Sequence, residues 1–78
     1  MTAPDKLTVL RAAIEICDDN NDAATAQAVA NRLGVEKELM VLKLLPAIAN
    51  YFEKVSRGDD GVVVVREPTA EARRFVGS

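Results

Sequence analysis

The side chains that usually carry covalent or metal chemistry are nearly missing from this sequence. It has a single cysteine, Cys17, and no histidine. Without histidine there is no imidazole base, no Ser–His or Cys–His nucleophile pair and no usual zinc site, and one cysteine forms no internal disulfide. The segment 58–61, Gly-Asp-Asp-Gly, is typical of a turn rather than of a glycine-rich phosphate loop. We therefore expect no catalysis, cofactor, metal or small-molecule substrate.

The remaining candidates for chemistry are charged groups that bind rather than react. The net charge is −2, and the balance changes along the chain. Residues 1–53 carry five basic and eight acidic side chains, whereas residues 54–78 carry five basic and four acidic ones. This is not the strongly basic composition of a non-specific nucleic-acid binder, but it leaves room for a local basic patch. No segment resembles a signal peptide or is apolar over the length of a membrane span, so a cytoplasmic location without membrane association is expected.

These groups must be positioned by a small fold, because 78 residues with 49% hydrophobic content allow one domain and one modest core. Apolar residues recur at helical spacing from Leu7 to Cys17, and Pro4 suits the first turn of a helix. The sequence predicts a first helix over about 4–17, with Cys17 as a buried apolar residue. The polar run 18–22 is typical of a turn and should end this helix.

Two further helices are predicted around Gly34. Thr25 is a good N-cap for the second helix, and Gly34 suits the left-handed conformation that often ends one. Helical periodicity resumes at Val35 and continues to about residue 50. Pro46 either kinks this third helix or divides it near Leu44, and the continued apolar spacing favours one kinked helix.

The last third of the chain predicts a hairpin. The runs 52–57 and 62–67 flank an Asp-Gly turn, and Val62 to Val65 are β-branched throughout, as in a strand partly covered on both sides. Pro68 should end this strand. Residues 69–76 then predict a short helical turn, with Phe75 and Val76 folding back onto the core.

In this order the elements resemble a winged helix-turn-helix domain of the bacterial transcription-regulator kind. Residues 25–35 are similar to its helix-turn-helix core, with a small residue at Ala30, the turn glycine at Gly34 and an aliphatic residue at Val35. An aliphatic series resembles the one by which the third helix of the family packs and leads into the wing; it consists of Val41, Leu45, Ile48 and Phe52. The segment 69–76 resembles the family's segment after the wing. The resemblance implies a mainly α fold with a small β-hairpin, namely three helices plus a two-stranded wing. It implies a single domain over 1–78, with the helix-turn-helix at about 25–50 and the wing at about 52–67.

The resemblance also implies a DNA-binding transcription regulator whose partner is double-stranded DNA. Third-helix side chains would meet the major groove, and wing side chains would meet phosphate or the minor groove. The alternative for the wing charges is a hairpin that is simply solvated. The candidate DNA-binding residues are Arg32, Lys37, Lys43, Asn50, Lys54, Arg57 and Arg66.

The third helix departs from the family pattern where function lies. It opens with Glu36-Lys37-Glu38, whose carboxylates would repel phosphate, although a glutamate can accept a hydrogen bond from a cytosine amine. Its apolar residues are too many for one buried face, unless the small core needs them all. A second hypothesis is therefore a protein-interaction module, which binds a partner or a second copy through this helix or the valine strand. Its candidate interface residues are Met40, Leu42 and Leu44.

Overall fold

The computed structural model describes residues 5–19, 22–58 and 61–77. Within them the chain forms four helices and a small antiparallel sheet. The helices are α1 (Lys6–Asp19), α2 (Ala26–Leu33), α3 (37–51) and α4 (Ala70–Phe75), and the strands are β1 (Ala23–Thr25), β2 (Phe52–Arg57) and β3 (Val62–Pro68). A mainly helical chain with a small sheet is confirmed. The short helical turn predicted over 69–76 is confirmed as a fourth helix, whereas the two-stranded hairpin is wrong as the whole sheet, since a third strand is present.

The first helix, α1, supplies the largest share of the core. The predicted burial of Cys17 is confirmed, with only 1% of its surface exposed, whereas Leu7 at the start of the predicted apolar series is only half-buried. Asp5 caps the helix, because its Oδ1 accepts a hydrogen bond from the Thr8 N–H at 2.8 Å. The helix runs two residues beyond its predicted end at Cys17, since the Asp18 carboxylate is engaged by Arg73 and not by nearby backbone. Pro4, Asn20 and Asn21 lie outside the described residues.

The turn between α2 and α3 follows the sequence prediction closely. The Thr25 hydroxyl accepts a hydrogen bond from the Ala28 N–H at 3.1 Å, which confirms Thr25 as the N-cap. Gly34 has φ 69° and its N–H donates to the Ala30 carbonyl, as expected for the residue that ends a helix. The connection is slightly longer than predicted, because α3 begins at Lys37 rather than at Val35.

Helix α3 continues through Pro46 by changing its winding. An α-helical turn (Lys37–Leu39) passes into a π-helical turn (Met40–Leu44), then into a second α-helical turn (Leu45–Ile48) and a final 3₁₀ turn (Ala49–Tyr51). The Leu45 N–H donates to the Met40 carbonyl, five residues back, and Pro46 has no N–H to donate. The preference for one continuous helix over two separate ones is confirmed.

The sheet has the strand order β1-β3-β2. Strands β2 and β3 form the predicted hairpin, and β1 pairs antiparallel with the other edge of β3, with Ala24 opposite Val65 and Thr25 opposite Val64. The two valines at the ends of the run, Val62 and Val65, are fully buried, and the two between them are half-buried. Strand β3 is therefore the central strand. The sequence analysis suggested that a partner could bind through the valine strand. From Val64 to Arg66 this is wrong for strand pairing, because β1 already pairs with that edge of β3.

Helix α4 closes the fold against α1. Thr69 caps it, because its hydroxyl accepts a hydrogen bond from the Ala72 N–H at 3.0 Å. Val76 packs on the core as predicted. Phe75 does not, since 47% of its surface is exposed and its ring stacks on Tyr51 with the centroids 5.4 Å apart.

Candidate nucleic-acid interface

The outward face of α3 carries three of the residues predicted to meet DNA. Lys37, Lys43 and Asn50 are all exposed. In the part of the chain that the structure describes, neither lysine forms an ion pair. Lys43 lies in the π turn and Asn50 in the final 3₁₀ turn, seven residues later, whereas Lys37 stands at the beginning of the helix, before the π turn. Two ammonium groups and an amide are thus free to contact a ligand along this helix.

Carboxylates share the beginning of the same helix. Glu36 is the N-cap residue, yet its side chain makes no capping hydrogen bond, and both Glu36 and Glu38 are exposed. Negative charge is favourable at a helix N-terminus because of the helix dipole, so these residues also have a structural explanation. Their effect on a nucleic-acid ligand is to oppose phosphate at this end of α3.

The π turn decides which apolar side chains of α3 face outward. Met40 and Leu45 are both fully buried although they lie five residues apart, a spacing that fits a π turn and not an α turn. Leu42 lies between them and is 47% exposed, and Leu44 is half-buried against the core. The prediction of an exposed apolar residue on α3 is confirmed for Leu42. Met40 is wrong as an interface residue, because it belongs to the core.

Arg32, predicted to contact DNA from the end of α2, is already paired within the protein. Its Nη2 lies 2.7 Å from Oε1 of Glu15 on α1, and each side chain keeps nearly half of its surface exposed. Exposed ion pairs of this kind contribute about 0–1 kcal/mol, so the pair can open. A phosphate at Arg32 would nevertheless have to compete with Glu15.

The wing residues lie on the outward face of the sheet. Lys54 and Arg66 are directly opposite each other on β2 and β3, so their side chains project from the same face, away from the buried Ala24 and Val65. Lys54 Nζ also lies 3.1 Å from Oε2 of Glu67, with 71% of the lysine side chain exposed. Like charges opposite each other on neighbouring strands are destabilising. Here the Glu67 carboxylate reduces the repulsion between Lys54 and Arg66, and a bound anion would reduce it further.

The hairpin is held directly against α3. A Cβ atom added to Gly61 would lie far inside contact distance of the Val41 carbonyl oxygen and 2.8 Å from its carbon. In a regular α-helix the Leu45 N–H would donate to this Val41 carbonyl. In the π turn it donates to the Met40 carbonyl, and Pro46, the next residue, has no N–H to donate. The close approach of the two backbones therefore requires glycine at position 61 and holds the turn end of the hairpin against α3.

Arg57 stands at the end of β2, next to the turn. It is exposed and lies beside a bulge between Ser56 and Arg57, where the pairing with β3 shifts. Bulges turn a side chain away from the regular alternation of a strand. Asp59 and Asp60, which the sequence predicts at the wing tip, lie outside the described residues.

The side of the molecule formed by α1 and α4 has a different character. Arg73 of α4 donates two hydrogen bonds to the Asp18 carboxylate, at 2.8 and 3.3 Å, and this lowers the pKa of Asp18 and raises that of Arg73. A cleft of about 270 Å³ beside this pair is lined by Arg11, Ile14, Glu15 and Val76 among others. Its basic groups bind acidic groups or backbone of the same chain, since Arg11 also donates to the Val76 carbonyl at 3.4 Å. The basic groups that line this cleft are therefore engaged within the protein.

Cys17 has no reactive character. Burial raises the pKa of its thiol to about 11, and the Asp22 and Asp18 carboxylates add to the rise. The thiol donates to the Val65 carbonyl, with Sγ and O 3.7 Å apart. It stays protonated at neutral pH, whereas a nucleophile or metal ligand must be a thiolate.

Several residues that shape this surface could not be found from sequence patterns. Glu15 and Glu67 neutralise candidate DNA-binding residues from other elements, and Gly61 reads as an ordinary turn glycine until its contact with Val41 is seen. Tyr51 and Phe75, with the Lys6 ammonium 5.4 Å from the Tyr51 centroid, form an aromatic pair between the end of α3 and α4. In the sequence, only the aromatic character of these two residues indicated that they could pack together.

Across residues 5–19, 22–58 and 61–77, no helix is both long and apolar enough to cross a membrane. The same residues contain no group of three or more potential metal ligands. Comparison with known proteins found no matching family model, no similar curated protein and no similar solved structure.

Proposed function

We propose that this chain is a winged helix-turn-helix protein that binds double-stranded DNA and acts as a small transcription regulator. The observation that carries the proposal is the contact between Gly61 and Val41. It holds the turn end of a hairpin that carries basic side chains against a helix that carries unpaired lysines. A helix and a hairpin at one surface suit simultaneous contact with a groove and its flanking phosphates.

The element order also supports the proposal. The second helix is capped by Thr25 and ends at the left-handed Gly34, a short connection leads to α3, and the hairpin follows at once. This is the order on which the resemblance to winged helix-turn-helix domains rests. A cytoplasmic location would follow in a bacterial cell, where the DNA lies in the same compartment.

The charge distribution fits binding by local groups rather than by the field of the whole protein. The net charge of −2 would oppose DNA at long range. Within the described residues Lys37, Lys43, Arg57 and Arg66 make no ion pair, while Arg32 and Lys54 are held by Glu15 and Glu67. The four unpaired groups are therefore the strongest candidates for phosphate contact.

Fluorescence anisotropy with a labelled mixed-sequence duplex tests the proposal through the wing. The double variant Arg57→Ala with Arg66→Ala should weaken binding and make log K less steep in log salt concentration by about 0.9 for each phosphate that is no longer neutralised. Arg74→Ala is the matched control, because it removes one exposed positive charge from α4. If the Arg74 variant weakens binding as much per charge, binding does not involve the wing.

A second candidate function is protein interaction through α3. The exposed Leu42 with the half-buried Leu44 favours it. The support is narrower than the sequence suggests, because Met40 is buried and β1 pairs with β3. A homodimer is compatible with both functions, since helix-turn-helix dimers bind paired half-sites. Sedimentation equilibrium of the wild type and Leu42→Glu tests it: a dimer that the substitution disrupts supports the contact.

A further inference from the structure

Leu42 is a large apolar residue of α3 whose side chain is exposed to solvent. Nearly half of its surface is exposed. Among the described residues one other large apolar side chain, Phe75, is exposed to the same extent, and its ring stacks on Tyr51. No aromatic or ionic contact fixes Leu42. An isolated exposed leucine is ordinary on a protein surface, so the cause of its position matters.

The exposure results from the winding of the backbone. Met40 is buried, and Leu42, two residues later, falls on the nearly opposite side of the helix. In a regular α-helix Leu42 would still lie next to the face of the buried Leu45, and the wider π turn moves it further round from that residue. π turns within helices are frequent at functional sites.

The neighbours of Leu42 suggest which part of a DNA ligand it would face. Glu38 lies four residues earlier, so it stands one turn before Leu42 along the helix, and both are exposed. A carboxylate is repelled by phosphate, but it can accept a hydrogen bond from the cytosine amine in the major groove. The stripe that contains Glu38 and Leu42 therefore suits base edges, and Lys43 beside it suits phosphate.

We propose that Leu42 is a specificity residue that contacts the 5-methyl group of a thymine in the major groove. The inference rests on the proposed DNA-binding function and adds the base that one side chain recognises. Thymine offers an apolar group at a base edge, and contact with a leucine removes both from water. The bound sequence should thus contain at least one thymine whose methyl group contributes to affinity.

Replacement of thymine by uracil tests the proposal without changing the protein. A bound duplex is first selected from a randomised pool, and each thymine of the selected site is then replaced singly by deoxyuridine, which keeps every hydrogen-bonding group and lacks only the methyl. At least one replacement should weaken wild-type binding about fourfold, the effect of burying one methyl-sized group.

The variants assign that methyl group to Leu42. In Leu42→Ala the affinities for the thymine and uracil duplexes should become equal, with far-UV circular dichroism showing that the variant is folded. Lys43→Ala is the matched control from the next position, and it should weaken binding to both duplexes while keeping their fourfold ratio. Leu42→Met keeps an apolar side chain of similar volume and should retain most of the discrimination.

Each other outcome identifies what failed. If the wild type binds a selected duplex but no uracil replacement matters, the thymine contact is overturned while DNA binding stands. If Leu42→Ala keeps the fourfold ratio, another residue contacts the methyl group. If wild-type self-association without DNA is abolished by Leu42→Ala, Leu42 is a protein contact. If no duplex binds at low salt, the proposed function itself fails.

Discussion

Replacement of Gly61 by alanine should separate the wing from α3, and Gly58→Ala provides a matched control at the other end of the same turn. The added methyl group at position 61 meets the Val41 backbone, with the carbonyl carbon 2.8 Å away. At position 58 the nearest atom is the Val63 side-chain Cγ1 at 3.1 Å, which can move by a few tenths of an ångström. Only the first substitution forces two backbones apart.

The magnitudes follow from general substitution energetics. Both substitutions restrict the unfolded chain equally, which stabilises the folded state by about 0.4–1 kcal/mol where the new side chain fits. Overpacking costs about 1–3 kcal/mol, and a backbone neighbour puts Gly61 in the upper half of that range. Gly61→Ala should therefore be less stable than Gly58→Ala by about 2 kcal/mol, or roughly 8–16 °C in Tm for a domain of this size.

Urea denaturation of both variants, followed by circular dichroism, measures this difference directly. The m-values should agree, so that the difference appears in the midpoint. If the unfolding free energies of the two variants agree within about 0.5 kcal/mol, the wing is not held against α3 by this contact. The joined surface on which the DNA-binding proposal rests would then be absent.

Three further predictions concern stability. Arg73 holds the pKa of Asp18 below its ordinary value of 3.8, so the stability from this pair is present above about pH 4 and is lost as the pH falls below it. Asp18→Asn should flatten that part of the stability–pH curve measured by urea denaturation. Thr25→Ala should lower the unfolding free energy by about 1 kcal/mol through loss of the helix cap, again measured in urea. In thermal melts, Leu42→Glu should keep a nearly wild-type Tm because Leu42 is exposed. Met40→Glu should abolish cooperative unfolding in the same melts because it buries an unpaired carboxylate.

The controls for these predictions differ. Asp19→Asn, which removes the carboxylate of the next residue on the same helix, is the comparison variant for Asp18→Asn. Thr25→Ser keeps a capping hydroxyl and should be more stable than Thr25→Ala. Equal melting behaviour of the Leu42 and Met40 variants would contradict this orientation of α3, in which Met40 is buried and Leu42 is exposed.

Local signals predicted the parts of the fold that depend on neighbouring residues. A capping hydroxyl at Thr25, a left-handed glycine at Gly34 and two β-prone runs around Asp-Gly each act within a few residues. The cap, the glycine conformation and the pairing of the two strands were confirmed. Strand β1 was missed because three short residues carry no periodic pattern and become a strand only by pairing with β3, some 40 positions later.

The candidate site was less predictable, because it depends on contacts between elements. The sequence made Met40 and Leu42 equal candidates for exposure on α3, and only the packing of the helix shows that Met40 is buried and Leu42 exposed. The partners of Arg32 and Lys54 lie on other elements, at positions that no pattern along the chain connects. Exposure, pairing and helix winding thus decided which predicted residues can still bind a ligand.

The central claim is that α3 and the hairpin form one DNA-binding surface. A titration of ¹⁵N-labelled protein with an unlabelled duplex, followed by two-dimensional NMR, tests it most directly. Amide shifts should concentrate at Lys37, Lys43 and Asn50 on α3 and at Arg57 and Arg66 on the hairpin, and they should weaken as salt is added. Shifts confined to α1 and α4, or no shifts even at low salt, would contradict the claim.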